Sequence, residues 1–256
     1  MQIDVLSSAG GRSSGYLLRQ GGAVVLVDCG PGTALGLARS GWLERLDAVV
    51  ITHQHADHAC DVIGLAFARR FPGPLPRIPL FAPASALSVI RRLDDLFAVP
   101  SLGEGAQTIA ASFELGALSM DGVPAEIAGG LSLSSFAVAH PVPSAALRFD
   151  SGAQTVVFSS DTGACGSLIE AASDADLFLC EATYLEASAA ELDRNGHLTP
   201  DLAAQAALAA GARRLVLTHL LRPEDAAAAV AAAGHHFEAA PVTAAIPGNT
   251  IGAGPA

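Results

Sequence analysis

Short, continuous apolar runs that stop abruptly at a polar residue recur along this chain, and their lengths suit strands rather than helices. Residues 3–6 (IDVL), 15–19 (GYLLR) and 23–28 (AVVLVD) form a first set, with the Ser/Gly loop SSAGGRSSG between the first two. A helix is predicted over 33–39, after DCGPG. DAVVIT (47–52) reads as a buried strand that delivers the chain into HQHADH (53–58). From Asp57 the pattern turns helical through Arg70, where the Pro-rich FPGPLPRIP ends it. A second cycle opens with a strand at 79–83, a helix at 85–97 and a meander of strands over 104–139 ending in LSLSSFAVAH. ALRFD and QTVVFSS continue as strands. Helices at 164–172, 200–211 and 223–234 then alternate with strands at 176–182 and 214–219. Strands cluster early in each half and helices late. The pattern predicts two similar halves, each a sheet faced by helices, rather than alternating parallel βαβ units. No linker marks a boundary, and residues 1–256 read as one domain.

Composition narrows the partners. Hydrophobic residues make up 51% of the chain and charged ones 15%, the balance of a globular protein. A formal net charge of −11 repels phosphate backbones, so a nucleic-acid duplex is a poor default partner. The pairs Arg69-Arg70, Arg91-Arg92 and Arg213-Arg214 are isolated and read as solvated element ends. Four cysteines (Cys29, Cys60, Cys165, Cys180) lack Cys-x-x-Cys spacing, and residues 2–6 do not read as a signal peptide. The expectation is reduced, mostly buried thiols in a cytoplasmic protein, with Cys60 a buried helix residue. No run approaches the ~18 apolar residues that suggest a membrane span.

Histidine carries the chemistry. Six of the eight histidines lie at or just beyond the end of an apolar strand or in a short loop. His53, His55 and His58 follow DAVVIT, His140 follows SSFAVA, His219 follows RLVLT, and His197 lies in NGHLTP. Asp161 and Glu181 end strands in the same way. Strand ends of a layered α/β protein converge on one rim, where sites are built. Any one of these residues could be a cap or loop residue, and Asp57 suits a helix N-cap. The joint pattern is different: several segments each place an imidazole or a carboxylate, the ligands that suit zinc and its neighbours. His53 and His55, two apart on an extended stretch, point the same way, while Asp57 and His58 turn toward a second position.

HQHADH resembles the His-x-His-x-Asp-His signature of the metallo-β-lactamase-fold hydrolases. AHPV, SSDTG and LTHL resemble that superfamily's third-histidine, bridging-aspartate and final-histidine motifs, in order. LVDCGPG is similar to its early strand-end motif, whose Asp, here Asp28, supports the site. The resemblance runs from about residue 3 to 220 and implies a four-layer αββα sandwich of α+β class with two pseudo-repeated halves. It further implies one divalent metal on His53, His55 and His140 and a second on Asp57, His58 and His219, with Asp161 bridging them. Zinc is the expected metal, with manganese or iron as alternatives. Two such ions about 3.5–4 Å apart would hold a hydroxide as nucleophile, lowering the pKa of water from 15.7 toward about 7.

CEATY (180–184) and GHLTP (196–200) resemble the Glu and His loops of ribonuclease Z-like phosphodiesterases. By that resemblance Glu181, His197 and Asp57 are the catalytic side chains, with Glu181 holding the His197 imidazolium. The tRNA-processing enzymes of this type carry a long Gly/Pro-rich arm between the third histidine and the bridging aspartate. Here only 20 residues separate His140 from Asp161, and two strands fill them. With the acidic surface, the implied substrate is therefore a small phosphodiester, such as a cyclic nucleotide or related cyclic phosphate, rather than tRNA. Other readings stay open: hydrolysis of a lactone, thioester or β-lactam, an iron-dependent sulfur dioxygenase, or a metal-binding accessory protein of a biosynthetic pathway. No membrane partner is expected, and a homodimer is compatible with the sequence. The Ser7–Gly15 loop with Arg12 reads as a hairpin that could offer N–H groups to phosphate, and Pro72–Pro79 as a connector.

Overall fold

The computed structural model describes residues 1–254, which form two seven-stranded sheets. The first half opens with β1 (Gln2–Ala9), β2 (Ser13–Gln20) and β3 (Ala23–Val27), joined antiparallel. Helix α1 (Thr33–Ser40) crosses over to β4 (Ala48–Val50). Helices α2 (Ala56–Ala59) and α3 (Val62–Arg70) lead to β5 (Ile78–Ala82), and α4 (Ala84–Leu96) and α5 (Thr108–Ser112) lead to β6 (Phe113–Ala117). From β3 to β6 every pairing is parallel.

Strand β7 (Ala125–Ala128) ends the first half; the second opens with β8 (Leu131–Val138), β9 (Ser144–Asp150) and β10 (Thr155–Phe158), and the pairings from β7 through β10 are all antiparallel. Helix α6 (Gly166–Ala171) leads to β11 (Leu177–Glu181), and α7 (Ala189–Asn195) and α8 (Pro200–Ala209) lead to β12 (Leu215–Thr218). Helix α9 (Ala226–Gly234) leads to β13 (Thr243–Ala244), and β10 through β13 pair in parallel. Last comes β14 (Thr250–Gly252), which pairs with β1. The two halves therefore repeat one pattern, two antiparallel pairings followed by three parallel ones. Strands β7 and β14 cross over so that each edges the sheet founded by the other half. The expected four layers and pseudo-repeat are present. The rejection of parallel βαβ units is corrected: half of each sheet is built that way.

Alternation along the strands creates the layers. Val25, Val27, Ala48 and Val50 of the first sheet face Val156, Phe158, Leu177, Leu179 and Val216 of the second, forming the inter-sheet core. Val24, Leu26, Val49 and Ile51 point outward onto α1, α3 and α4. Val157, Phe178, Leu215 and Leu217 point outward beneath α6, α8 and α9. With both faces covered, these strands read as unbroken apolar runs rather than alternating ones.

Other expectations need correction. The helix expected from Asp57 to Arg70 breaks at Cys60 and Asp61, because the Asp61 carboxylate turns to accept the Ala34 N–H at 2.9 Å at the start of α1. Cys60 is consequently half-buried at the break, as Cys165 is before α6, whereas Cys29 and Cys180 are fully buried. Within 104–139, residues 108–112 are helical, and α7, β13 and β14 were not foreseen. Arg69 is buried rather than solvated; its guanidinium donates to the carbonyls of Leu43 and Pro76 and pins the Pro-rich connector. Arg214 likewise donates to the Gly252 and Gly254 carbonyls, holding the β14 end.

Candidate metal centre

The parallel strands of both sheets end on one rim, and the turns leaving them carry the polar residues. Asp28 after β3 and Ser160 after β10 occupy equivalent places in the two halves, both at φ 59°; His219 after β12 has φ 57°. Left-handed backbone at non-glycine residues is strained and collects where surrounding structure enforces it. Close packing enforces it here. A Cβ on Gly30 would lie 1.9 Å from the Asp57 carbonyl oxygen, so the DCGPG turn seats directly on the α2 backbone. A Cβ on Gly196, at φ +64°, would lie 2.9 Å from the His140 Cα.

The seven side chains expected to bind metal converge as two groups. His53, His55, His140 and Asp161 each bring a donor atom within 4.8 Å of the others, and so do Asp57, His58, Asp161 and His219. Asp161 belongs to both. Its Oδ2 lies 3.6 Å from His53 Nε2, while its Oδ1 lies 3.3 Å from His58 Nε2 and 3.4 Å from His219 Nε2. Asp57 Oδ2 is 3.4 Å from His219 Nε2 and 3.7 Å from His58 Nε2.

Hydrogen bonds behind the rings fix which nitrogen faces inward. His58 Nδ1 meets Asp28 Oδ2 at 2.7 Å, and His140 Nδ1 meets the Gly196 carbonyl at 2.9 Å. The Thr52 hydroxyl donates to Asp28 and so receives His53 Nδ1–H at 3.2 Å. The Thr183 hydroxyl donates to Glu181 Oε2 at 2.6 Å and receives His219 Nδ1–H at 2.9 Å. Four Nε2 atoms are thereby left pointing into the centre. His55 presents Nδ1, 3.3 Å from His140 Nε2.

This arrangement fits a bound cation. His58 Nε2 and His219 Nε2 face each other at 3.1 Å, although both rings have committed Nδ1–H to other partners. His53 Nε2 and Asp161 Oδ1 are buried without a hydrogen-bond partner, a costly state unless something else satisfies them. Donor separations of 3.1–3.7 Å bracket the roughly 3.3 Å edge of a tetrahedron with 2.0–2.1 Å metal–ligand bonds. The fold and this His/Asp cluster together point to divalent-metal binding.

Protonation follows the same geometry. Burial, reinforced by the neighbouring His58, pushes the His53 imidazole well below its ordinary range despite Asp161. It is a neutral ligand in waiting. Burial opposes charge on His58 too, but Asp161 and Asp28 raise it well above 6.5. Burial would raise the Asp161 carboxyl; His219, His58 and His53 instead hold it well below the usual range. Asp57 is also lowered, its burial outweighed by His219 and His58.

Glu181 and His197 form a contact beside this centre. Glu181 is fully buried and accepts from Thr162 N, Thr183 N, Leu198 N, the Thr183 hydroxyl and His197 Nδ1, the last at 2.9 Å. Burial lowers the His197 pKa, but the Glu181 hydrogen bond and charge, then Asp161 and Asp57, leave it raised. The Thr183 hydroxyl is 3.2 Å from His197 Nδ1, so one side chain touches His219, His197 and Glu181. Thr183 and Thr52 were not singled out in the sequence, although both lie in quoted motifs at strand ends. The Ser7–Gly15 hairpin supports the centre from below: Ser8 Oγ accepts His219 N–H at 3.3 Å, and Gly10 N–H bonds the Leu220 carbonyl. Arg12 is exposed at its tip.

The chain is similar to proteins of known and unknown role. A mycobacterial protein, ML1173 of Mycobacterium leprae, is 33% identical over 93% of this chain and 82% of its own length. Ribonuclease Z of Myxococcus xanthus is 29% identical over 83% of this chain and 82% of its own length. The crystal structure of the metallo-β-lactamase fold protein YhfI from Bacillus subtilis superposes with a TM-score of 0.82 at 26% identity, covering 98% of this chain and 99% of that one. The Beta-lactamase superfamily domain matches residues 24–220, so with its two-sheet architecture and convergent His/Asp rim the chain belongs to the metallo-β-lactamase-fold superfamily.

Proposed function

We propose that this protein is a dinuclear metal-dependent phosphodiesterase acting on a small, including cyclic, phosphodiester. The observation that carries this reading is the buried Glu181–His197 contact standing beside the two ligand groups. His53, His55 and His140 would hold one ion, Asp57, His58 and His219 the other, and Asp161 would bridge. Two divalent ions, zinc by donor chemistry, supply Lewis acidity and an activated water when bound there. Glu181 keeps Nδ1 of His197 engaged, so the other ring nitrogen can donate a proton to a departing oxygen. Carbonyl hydrolysis at a metal has less need of such a donor, which ranks lactones and thioesters second. The short β9–β10 hairpin filling the stretch between His140 and Asp161 supports a small substrate over tRNA, although ribonuclease Z is among the relatives.

His197→Ala tests the reading. It should lower kcat on a phosphodiester with a poor leaving group by roughly 10²–10⁴, the scale of general acid catalysis, while zinc content measured by elemental analysis stays the same. Because the acid form of His197 exists below its raised pKa, wild-type kcat should fall on the alkaline side, and the variant should lose that limb. Full activity of the variant on an alkoxide leaving group would remove the acid role. Loss of zinc would make His197 a ligand.

A further inference from the structure

The single tryptophan of the chain, Trp42, is half-buried in the turn between α1 and β4, and two guanidiniums stack on it. The Arg45 Cζ lies 4.4 Å from its ring centroid and the Arg19 Cζ 5.0 Å. All three side chains line a hollow of about 280 Å³, which is bordered by the Gly21–Gly22 turn between β2 and β3. Strand β3 starts beside this hollow, at Ala23, and delivers Asp28 to the metal rim, roughly 17 Å away at 3.3 Å per residue. The hollow is therefore separate from the metal centre, at the opposite end of the first sheet.

A guanidinium held by its face keeps its edge N–H groups for hydrogen bonds. Arg19 spends most of that edge on Asp4, with Nε and Nη2 each 2.8 Å from a carboxylate oxygen, and keeps Nη1. Arg45 is exposed, and its guanidinium meets no carboxylate or carbonyl among the described residues. Its sequence neighbour Glu44 makes no ion pair with it, and Asp47 accepts the Val24 N–H at 2.8 Å. Asp4 offsets Arg19, so Arg45 is the surplus positive charge here, in a chain of net charge −11.

We propose that this hollow binds a small molecule carrying an oxyanion, a carboxylate or a phosphate. Arg45 and Nη1 of Arg19 are the donors, and Trp42 is the platform that fixes both guanidiniums. Bonds from a guanidinium to an ionised oxygen are among the strong hydrogen bonds, and a planar fork matches both anions. The volume lies just below the ordinary small-ligand range of about 300–1,000 Å³, which suits a molecule of one ring. A polynucleotide would require several surplus cations along its phosphates; this hollow has one.

Trp42 is its own reporter, because no other tryptophan contributes to the emission. The zinc-loaded chain is titrated at constant ionic strength with benzoate, with phenyl phosphate and with uncharged benzyl alcohol. At least one anion should change Trp42 emission saturably, and benzyl alcohol should not. A response to benzoate assigns a carboxylate ligand; a response to phenyl phosphate alone assigns a phosphate. Arg45 is exposed, so Arg45→Gln removes the donor without opening a core, and it should weaken anion binding at least tenfold. Arg45→Lys keeps the charge without the fork and should recover part of that loss. Flat titrations with both anions, an equal response to benzyl alcohol, or unaltered affinity in Arg45→Gln would overturn the proposal. A lower Tm in Arg45→Gln together with flat wild-type titrations would show that the stack only pins the β2–β3 turn, and would overturn it as well.

Discussion

Replacing Thr183 by valine keeps the shape of the side chain and deletes one hydroxyl, so the consequences can be worked from its three contacts. The hydroxyl donates to Glu181 Oε2 at 2.6 Å, accepts from His219 Nδ1 at 2.9 Å and lies 3.2 Å from His197 Nδ1. Glu181 keeps its other four donors, so its loss falls at the low end of the ~1.5–3 kcal/mol expected for a hydrogen bond to a charged group. The buried His219 N–H is left without an acceptor, adding about 1–3 kcal/mol. A total near 3 kcal/mol should lower Tm by about 6–12 °C, at the ~2–4 °C per kcal/mol of a chain this size. Thermal unfolding of the chelated protein measures this. With metal, His219 would lose the partner that fixes its tautomer, and affinity should fall roughly 10–100-fold in a chelator competition. Thr183→Ser should recover most of both losses. A Tm within 2 °C of wild type, together with unchanged zinc affinity for the valine variant, would refute the proposed network.

Two further outcomes test the rest of the chain. Burial lifts the Cys29 and Cys180 thiols well above 9.0, and burial with the nearby Asp61 raises Cys60; at Cys165 burial is outweighed by the Ser167 hydroxyl, the Ala139 and Leu168 backbone and the Thr162 hydroxyl, leaving it lowered. Limited iodoacetamide labelling followed by peptide mass spectrometry should therefore modify Cys165 first and the two buried thiols last. Arg69→Met should remove the donors to the Leu43 and Pro76 carbonyls and cost about 1–3 kcal/mol, read as a lower urea midpoint with an unchanged m-value.

The rim was legible because its residues stand out against what precedes them. An imidazole or carboxylate directly after an apolar run is conspicuous in DAVVITH, TVVFSSD or RLVLTH. Thr52 and Thr183 were overlooked for the complementary reason: a hydroxyl at a strand end looks like any turn residue, and its value lies in which ring it meets. Helix α7 buries nothing, so it lacks the apolar periodicity by which helices are recognised. The break at Cys60 and Asp61 depends on a contact with Ala34, 27 residues earlier. Arg69 looked solvated because its partners are backbone carbonyls, which carry no sequence signal. Strands β13 and β14, of two and three residues, are too short to show a period.

The repeat explains why removing metal should be felt by the whole chain. His53, His55, Asp57 and His58 leave one strand of the first sheet, whereas His140, Asp161 and His219 come from three turns of the second. Ions held among them would join the halves at the rim, opposite imidazoles that otherwise confront one another at 3.1 Å. An ion at a hundredfold above its Kd stabilises the native state by about 2.7 kcal/mol. One such ion should raise Tm by about 5–11 °C, and two by about twice that. Metal must displace the proton that Asp161 and Asp28 favour on His58, so binding releases protons and weakens as pH falls. Melting curves with saturating zinc and with EDTA should therefore lie far apart at pH 8 and draw together at pH 6. Coincident curves at pH 8 would show that the rim binds no ion strongly enough to hold the halves together.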